Sequence, residues 1–286
     1  MSKIKIAELF YSIQGEGRYM GVPSVFLRTF GCNFTCRGFG MPRGELSKEA
    51  IEISNIQLTS NPFTKYENLP LVSSGCDSYA SWMPEFKNLS PMLTSDAIAN
   101  RITEILPGNK WGGAHLVITG GEPLLGWQRA YPDLLNHEKM ADLKEITFET
   151  NGTQPLSSDF KNYLSVWQGL PRNKKEITFS VSAKLPCSGE TWEDAIKPEI
   201  VCEYEEIGTT YLKFVIATDD DFKDAEKAIS EYRAAGFTGH VYLMPVGGVE
   251  SVYSLNNRRV AELAMNAGLR YSDRLQVPLF SNAWGT

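Results

Sequence analysis

Residues 24–36 read SVFLRTFGCNFTC, an apolar run that ends in a glycine and is followed by two thiols on one loop. Such a run predicts a buried β-strand. Cys32 and Cys36 lie four positions apart and can ligate one metal centre, and a third candidate, Cys76, follows forty positions after Cys36. Three thiols that act together would hold an iron–sulfur cluster, which cysteine thiolates bind. Three separate thiols would be small buried hydrophobic side chains, and the thiols alone leave both interpretations open.

The composition is that of a globular enzyme. The chain has 286 residues, 42% hydrophobic and 22% charged, so one large α/β domain or two small ones would fit. A net charge of −6 without a long basic run argues against direct nucleic-acid binding through phosphate contacts. We find neither an apolar run of the roughly 18 residues that a membrane span needs nor a signal-peptide pattern, so we expect a cytoplasmic protein without membrane contact. Five cysteines are too few for a disulfide scaffold.

Apolar runs alternate with helical patterns from residue 24 to residue 277. After a first strand within residues 3–17, strands are predicted at residues 24–31, 114–119, 145–150, 176–184, 211–218, 240–245 and 269–277. Helices are predicted at residues 95–106 (with Ser95 as the N-cap), 159–167, 190–206, 220–235 and 255–267, and one more after residue 123. This order predicts βαβ units and a parallel sheet, and six or seven repeats indicate an α/β fold with a partial TIM-like (β/α)6 barrel. In such barrels the site lies at the carboxyl ends of the strands.

Residues 37–91 interrupt this pattern. Glycine and proline punctuate the stretch, and a structureless loop of this length is unusual in a compact domain. We interpret it as an irregular insertion in the loop that carries the thiols, with one or two helical turns around residues 46–53. The insertion is predicted to lie within a single domain, residues 1–286.

Several motifs together resemble one family. GCNFTC (residues 31–36), GCDSY (75–79) and ITGGEP (118–123) resemble the motifs of radical S-adenosylmethionine (SAM) enzymes. ELFYSIQGEG (8–17), FLRTFGCN (26–33) and FETNGT (148–153) narrow the resemblance to the 7-carboxy-7-deazaguanine synthase (QueE) family. The usual pattern spaces the three cysteines three and then two residues apart, whereas the second spacing is 39 residues here.

The resemblance implies a radical SAM barrel and a ring-contracting lyase of deazapurine (queuosine-type) biosynthesis. In that family 6-carboxy-5,6,7,8-tetrahydropterin becomes 7-carboxy-7-deazaguanine with loss of ammonia. The 5′-deoxyadenosyl radical that starts the reaction comes from SAM, which is re-formed afterwards. The implied cofactors are a [4Fe–4S] cluster, SAM and Mg²⁺. The implied partners are the pterin substrate, an electron donor such as flavodoxin or ferredoxin, and a second copy of the chain in a homodimer.

The resemblance also implies roles for single residues. The cluster ligands would be Cys32, Cys36 and Cys76. The SAM site would comprise Gly120, Gly121, Glu122, Ser182 and Lys184, with the Glu122 carboxylate pairing with the SAM ammonium. The substrate would contact Gln14, Glu16, Arg28 and Glu149, and the Ser78 hydroxyl would hold Mg²⁺.

Several of these residues could instead have purely structural or surface roles. A lone charge such as Arg28 in an apolar strand needs a partner, which is either a substrate carboxylate or a structural salt bridge. Glu16 and Lys184 could be solvated surface residues, and Glu149 could be structural. The remaining thiols and two of the histidines are interpreted as structural: Cys187, Cys202, His115 and His240.

The sequence also departs from the family pattern. Gly75 stands where an aromatic residue usually precedes the third cysteine, and residues 275–278 lack the family's histidine–lysine pair. Two alternatives remain open. One is another radical SAM enzyme such as an activase, against which the Gln-Gly-Glu-Gly opening and Asp77-Ser78 argue. The other is a non-catalytic protein with a structural metal site, which would need a fourth ligand that the sequence near the thiols lacks.

Overall fold

The computed structural model describes residues 2–169 and 175–286, and its frame is one mixed sheet, with nine strands in the described part. The strands are β1 Lys3–Ile13, β2 Pro23–Thr29, β3 Met92–Thr94, β4 His115–Gly120, β5 Glu145–Thr150, β6 Glu176–Val181, β7 Thr209–Ile216, β8 Val241–Pro245 and β9 Arg270–Tyr271. Their order across the sheet is β3-β1-β2-β4-β5-β6-β7-β8-β9. From β2 to β9 the neighbours are parallel, whereas β1 pairs antiparallel with β2 and β3. The predicted α/β fold with a partial (β/α)6 barrel is confirmed.

Most of the described helices pack on the sheet between its parallel strands. The described helices are α1 Glu49–Ser60, α2 Ser95–Ile105, α3 Tyr131–Leu135, α4 Ser158–Trp167, α5 Trp192–Ala195, α6 Pro198–Glu205, α7 Asp219–Ala234, α8 Glu250–Asn266 and α9 Gln276–Phe280. α7 begins with a capping box, in which the Thr218 hydroxyl accepts from Asp221 N and the Asp221 carboxylate accepts from Thr218 N. None of the described helices is long and apolar enough to cross a membrane.

Some predicted elements were wrong in detail. The N-cap of α2 is Thr94, whose hydroxyl accepts from Ala97 N at 3.2 Å, and not Ser95. One predicted helix over residues 190–206 is two short helices, because Pro198 disfavours helical geometry in the residue before it. α8 begins at Glu250, five residues before the predicted start. The predicted last strand, residues 269–277, shortens to β9, and α9 follows it.

The main core lies between the sheet and its helices. Phe148 of β5 is fully buried and stacks on Phe179 at 5.5 Å between ring centroids, with Phe160 and Tyr131 packed around it. These aromatic rings anchor the helices to the parallel strands. The packing of these strands therefore does not depend on contacts with the loops that follow them.

The insertion, which we call the cluster-loop region (residues 37–91), has a small core of its own. Its buried side chains are Tyr66, Leu69, Val72, Tyr79, Ala80, Met83 and Phe86, and Ala7 of β1 lies in the same cluster. Trp284 packs against Tyr66 and Tyr79, with centroids at 5.5 and 5.7 Å. The region is less irregular than predicted, because α1 runs for 12 residues, about three turns. It is tied to the residues we call the C-terminal segment (272–286).

Candidate active site

A cavity of about 250 Å³ opens at the carboxyl ends of the parallel strands. It collects all but one of the residues singled out from the sequence: Gln14, Glu16, Arg28, Cys32, Cys36, Cys76, Ser78, Gly120, Gly121, Glu149, Ser182 and Lys184. The missing one is Glu122. Both the cluster-loop region and the C-terminal segment contribute further walls, among them Phe39, Val72 and Trp284. Motifs that are far apart in the sequence therefore meet at one site, because the carboxyl ends of the barrel strands lie together.

Three thiols meet at one side of this cavity. Cys36 and Phe34 are buried in one small cluster, and Cys32, Cys76 and Phe39 pack against it. Burial raises the pKa of Cys32 to about 12 and raises the pKa of Cys36 and Cys76 as well. Nearby thiols raise the pKa of Cys32 and Cys36 further, so the three groups lie within electrostatic reach of one another. Without a metal, these thiols are protonated at neutral pH.

Hydrogen-bond donors point at two of the sulfurs. Phe34 N donates to Cys32 Sγ and Trp82 Nε1 donates to Cys76 Sγ, each at 3.4 Å. Donors to thiolate sulfur tune iron–sulfur clusters. Within residues 2–169 and 175–286, no three Cys, His, Asp or Glu side chains are close enough to hold a single metal ion. In a [4Fe–4S] cluster each thiolate binds a different iron, so three thiols around an apolar pocket fit a cluster better than a mononuclear site.

The long step from Cys36 to Cys76 is closed by α1. Glu49, at the start of this helix, accepts hydrogen bonds from Ser73 N at 2.7 Å and from the Ser74 hydroxyl at 2.5 Å. Gly75 N donates to Phe39 O at 2.7 Å, and Gly75 has φ +83°, a conformation that favours glycine. This backbone requirement explains why the usual aromatic residue is absent at this position.

The glycine pair at the end of β4 lies close to the neighbouring loop. A Cβ at Gly120 would clash with Thr29, and one at Gly121 would clash with Gly31 and Cys32. Lys184 and Ser182, at the end of β6, are hydrogen-bonded to each other at 2.9 Å. These four residues face the side of the cavity that carries the thiols.

Glu122 does not line the cavity. Its side chain is fully buried and accepts from Leu124 N at 3.0 Å, from the Thr150 hydroxyl at 2.8 Å and from Asn151 N at 2.7 Å. Burial raises its pKa to about 7 despite these bonds. The Glu122 carboxylate links the loop after β4 to the end of β5. It is buried behind the residues that line the cavity.

Ion pairs line another part of the cavity. Glu16 accepts from Lys213 Nζ at 2.5 Å, from Gln276 Nε2 at 2.9 Å and from Arg274 Nε at 3.1 Å. Although burial alone would raise it, the two cations hold the pKa of Glu16 well below its usual range. Glu16 is therefore not a solvated turn residue. Glu149 accepts from Gln14 Nε2 at 2.9 Å, and Lys213 Nζ lies 3.8 Å from the same carboxylate.

Arg28 forms a structural salt bridge and also lines the cavity. Its Nε pairs with the buried Glu8 at 2.7 Å, which is the structural salt bridge, and its guanidinium still lines the cavity. Arg28 Nη1 also donates to the Ser78 hydroxyl at 3.0 Å, and this hydroxyl lies 3.3 Å from Asp77 Oδ1. The candidate magnesium ligand is thus placed between a cation and a carboxylate.

Two cations of the site were missed from the sequence. Lys213 is a lone charge within the apolar strand β7, and the argument applied to Arg28 would have found it. Arg274 carries no such signal, since it follows the two-residue strand β9 within a stretch predicted to continue that strand. Cys187 and Cys202 lie elsewhere, packed against the main core. His115 is fully buried between the Ser24 and Thr147 hydroxyls, away from the cavity.

A partial (β/α)6 barrel with three thiols and a glycine pair at its carboxyl end is the arrangement of radical SAM enzymes. No family model matches the chain. Curated proteins named 7-carboxy-7-deazaguanine synthase do match it over nearly the whole length. The one from Halobacterium salinarum is 29% identical and covers 98% of this chain and 91% of its own. The one from Rhodopirellula baltica is 27% identical, with coverages of 100% and 90%.

One solved structure has a fold similar to that of this chain. The crystal structure of QueE from Escherichia coli matches 94% of this chain and 93% of its own, with a TM-score of 0.53 and 19% identity. The protein from Pyrobaculum aerophilum, also named 7-carboxy-7-deazaguanine synthase, is 25% identical and covers 99% of this chain and 97% of its own. The chain is thus similar over nearly its whole length to curated proteins named 7-carboxy-7-deazaguanine synthase.

Proposed function

We propose that this protein converts 6-carboxy-5,6,7,8-tetrahydropterin to 7-carboxy-7-deazaguanine with loss of ammonia. The observation that carries the proposal is the single cavity in which three thiols, a glycine pair and a set of buried charges converge. The names of the relatives support the same reaction.

We propose that the thiols of Cys32, Cys36 and Cys76 ligate a [4Fe–4S] cluster. Their burial among aromatic rings and the N–H groups aimed at two of the sulfurs fit such a group. When bound, the cluster and SAM supply the one-electron chemistry that starts the reaction. Three thiolates would leave one iron open for SAM, by the same logic as the open position of a catalytic metal site.

The SAM site is proposed to lie along the ends of β4 and β6. The backbone of Gly120 and Gly121 packs directly against the loop that carries Cys32, because a Cβ at either residue would clash with Thr29 or with Gly31 and Cys32. Ser182 and Lys184 offer a hydroxyl and an ammonium group for the ribose or the carboxylate of SAM. Glu122 keeps a supporting role in this proposal, since its carboxylate already accepts three hydrogen bonds from β5 and the loop after β4.

The charged side of the cavity is proposed to hold the pterin. A carboxylate offers about four acceptor positions, and three of those on Glu16 are already used by Lys213, Arg274 and Gln276. Glu149 retains more free capacity and, together with Gln14, is proposed to read the donor edge of the heterocycle. Glu16 contributes the remaining acceptor. Arg28 is proposed to pair with the substrate carboxylate, which matches a guanidinium well.

Mg²⁺ is proposed to bind the Ser78 hydroxyl together with substrate oxygens, because this ion commonly takes few protein ligands and completes its shell with substrate and water. Turnover should then fall after complete chelation and return when Mg²⁺ is added. Equal turnover with and without Mg²⁺ would remove this assignment. The electron donor, the homodimer, the cytoplasmic location and the single domain stay predictions.

The reaction is tested with anaerobically reconstituted protein, SAM, dithionite and the carboxy-tetrahydropterin. We expect 7-carboxy-7-deazaguanine, identified by mass and retention against a standard, in many turnovers per chain. A matched reaction without SAM should give none. A protein that carries its cluster and binds SAM but forms no 7-carboxy-7-deazaguanine would contradict the proposal and favour another radical SAM reaction.

A further inference from the structure

Arg274 lies where three loops of the cavity meet. Its Nε donates to Glu16 on the loop after β1, at 3.1 Å, and its Nη2 donates to Asp77 beside the third cysteine, at 2.6 Å. Its Nη1 donates to Gly247 O on the loop after β8. The Arg274 side chain is only 10% exposed, and its partner Glu16 is 13% exposed, whereas Asp77 is 35% exposed. One guanidinium thus joins the substrate side of the cavity to the thiol side.

The rest of the C-terminal segment reinforces the same connection. Leu275 N donates to Gly15 O at 3.0 Å, and Gly17 N donates to the Ser272 hydroxyl at 2.9 Å. Asn282 Nδ2 donates to Gly248 O at 3.0 Å. These bonds fix the segment against the loops after β1 and β8, but Arg274 alone among them also reaches Asp77. The position of Asp77 relative to Glu16 therefore depends on this side chain.

The two carboxylates that Arg274 joins require an arginine at this position. Glu16 and Asp77 are carboxylates on separate loops, and two like charges near one cavity repel each other. A guanidinium can bond both carboxylates through different nitrogens in one plane, whereas a lysine ammonium is a point charge that cannot match this geometry. Among the described residues, Lys213 pairs with Glu16 and Glu149, so it does not replace the link to Asp77.

We propose that Arg274 is a positioning residue that sets the substrate-reading Glu16 in register with the cluster loop at Asp77. The inference rests on the proposed function, because Glu16 and Cys76 matter to each other only if substrate and cluster share the cavity. Thirty-nine residues separate Cys36 from Cys76 in this chain. Arg274 supplies from the C-terminal segment a constraint that a short cysteine loop would build in locally. Arg274 itself acts through Glu16 and Asp77.

The test measures pterin binding to the cluster-loaded protein in the presence of SAM and without reductant, so that no turnover is required. Arg274→Gln should raise the Kd for the pterin roughly tenfold, since removing one member of a buried charge pair leaves the other uncompensated. Arg274→Lys should recover part of this loss because it can still reach one carboxylate. Asp77→Asn should also weaken binding, about threefold, although Asp77 lies on the cluster loop.

The double variant Asp77→Asn/Arg274→Gln completes the cycle. If the two residues act as one unit, the double variant should bind the pterin no more weakly than Arg274→Gln alone. Arg259→Gln serves as the matched control, because it removes a similar arginine–aspartate pair on the surface, and its Kd should equal that of the parent protein. Iron content and melting temperature are recorded for each variant.

Two results would overturn the inference. One is pterin binding by Arg274→Gln that equals the parent. The other is a set of variants in which the effects of Asp77→Asn and Arg274→Gln multiply, or in which only the melting temperature falls. Failure of the proposed function looks different, because then the parent protein itself would not bind the carboxy-tetrahydropterin.

Discussion

The barrel wall and the cover of the cavity are built in different ways. The wall, made of β2 and β4 to β8 with their helices, is held by parallel strand ladders and by a continuous aromatic and aliphatic core. The cover, made of the cluster-loop region and the C-terminal segment, has one α-helix of some length, several single helical turns, a small core and many side-chain hydrogen bonds. Two of the three thiols, Cys32 and Cys36, follow directly from the wall, whereas Cys76 is placed by the cover.

The difference shows that part of the site is positioned by the sheet itself, whereas the other part is positioned by contacts within the cover. Strand ends such as Glu149 and Ser182 keep their positions as long as the sheet is folded. Asp77 and Cys76 keep theirs only while α1 and Arg274 hold the loop. We therefore expect substitutions in the wall to act on the whole fold and substitutions in the cover to act on the site.

The largest effect is expected from the wall. Phe148→Ala removes a fully buried ring that packs on Phe179 and Phe160, and we expect it to lower the free energy of unfolding by about 4 kcal/mol. Urea denaturation monitored by circular dichroism measures this. A loss below 1 kcal/mol would show that the aromatic core is not what anchors the sheet.

A second effect in the wall depends on pH. Burial lowers the pKa of His115 to about 4 from its ordinary value of 6.5. Between these two pH values His115 is protonated in the unfolded chain but neutral in the folded chain. The free energy of unfolding should therefore fall as the pH drops from about 6.5 to about 4. The difference amounts to about 3 kcal/mol at the acid end. His115→Gln should remove this part of the pH dependence in urea denaturation curves, and unchanged curves would contradict the assignment.

A smaller effect on stability is expected in the cover. Trp284→Ala removes the ring that packs on Tyr66 and Tyr79, and since Trp284 is half-buried we expect a loss of about 2 kcal/mol. The cluster-loop region should be cleaved faster by a protease while the barrel resists. Leu255→Ala, at a side chain that is 74% exposed, is the control and should leave both properties unchanged. Equal protease rates in the two variants would mean that Trp284 does not hold the cover.

The sequence is informative about the wall for a physical reason. Apolar runs such as β4 and β5 are buried on both faces, so their pattern survives without knowledge of their neighbours. The residues at or just past the ends of such strands, Glu149 and Ser182 among them, could thus be assigned to one edge. The placement of the cover depends on contacts between distant parts of the chain, such as Glu49 with Ser73 and Trp284 with Tyr66, for which no local pattern exists.

The C-terminal segment is another place where the local sequence pattern does not predict the structure. Leu275 and Val277 alternate with polar residues as in a strand, in keeping with the strand predicted through residue 277. In the structure the chain leaves the sheet after Tyr271, because Arg274 turns inward to Glu16 and Asp77 and Val277 is buried by α9. The ion pairs that decide this geometry involve residues nearly two hundred positions or more away.

The most direct measurement is the iron content of anaerobically reconstituted protein, together with its iron–sulfur charge-transfer absorbance. Cys76→Ala is compared with the parent and with Cys202→Ala, whose thiol packs against the main core far from the cavity. We predict a loaded [4Fe–4S] cluster in the parent and in Cys202→Ala, and its loss in Cys76→Ala together with all formation of 7-carboxy-7-deazaguanine. A Cys76→Ala protein that binds iron and turns over as the parent does would contradict the account, since the cover would then not complete the site.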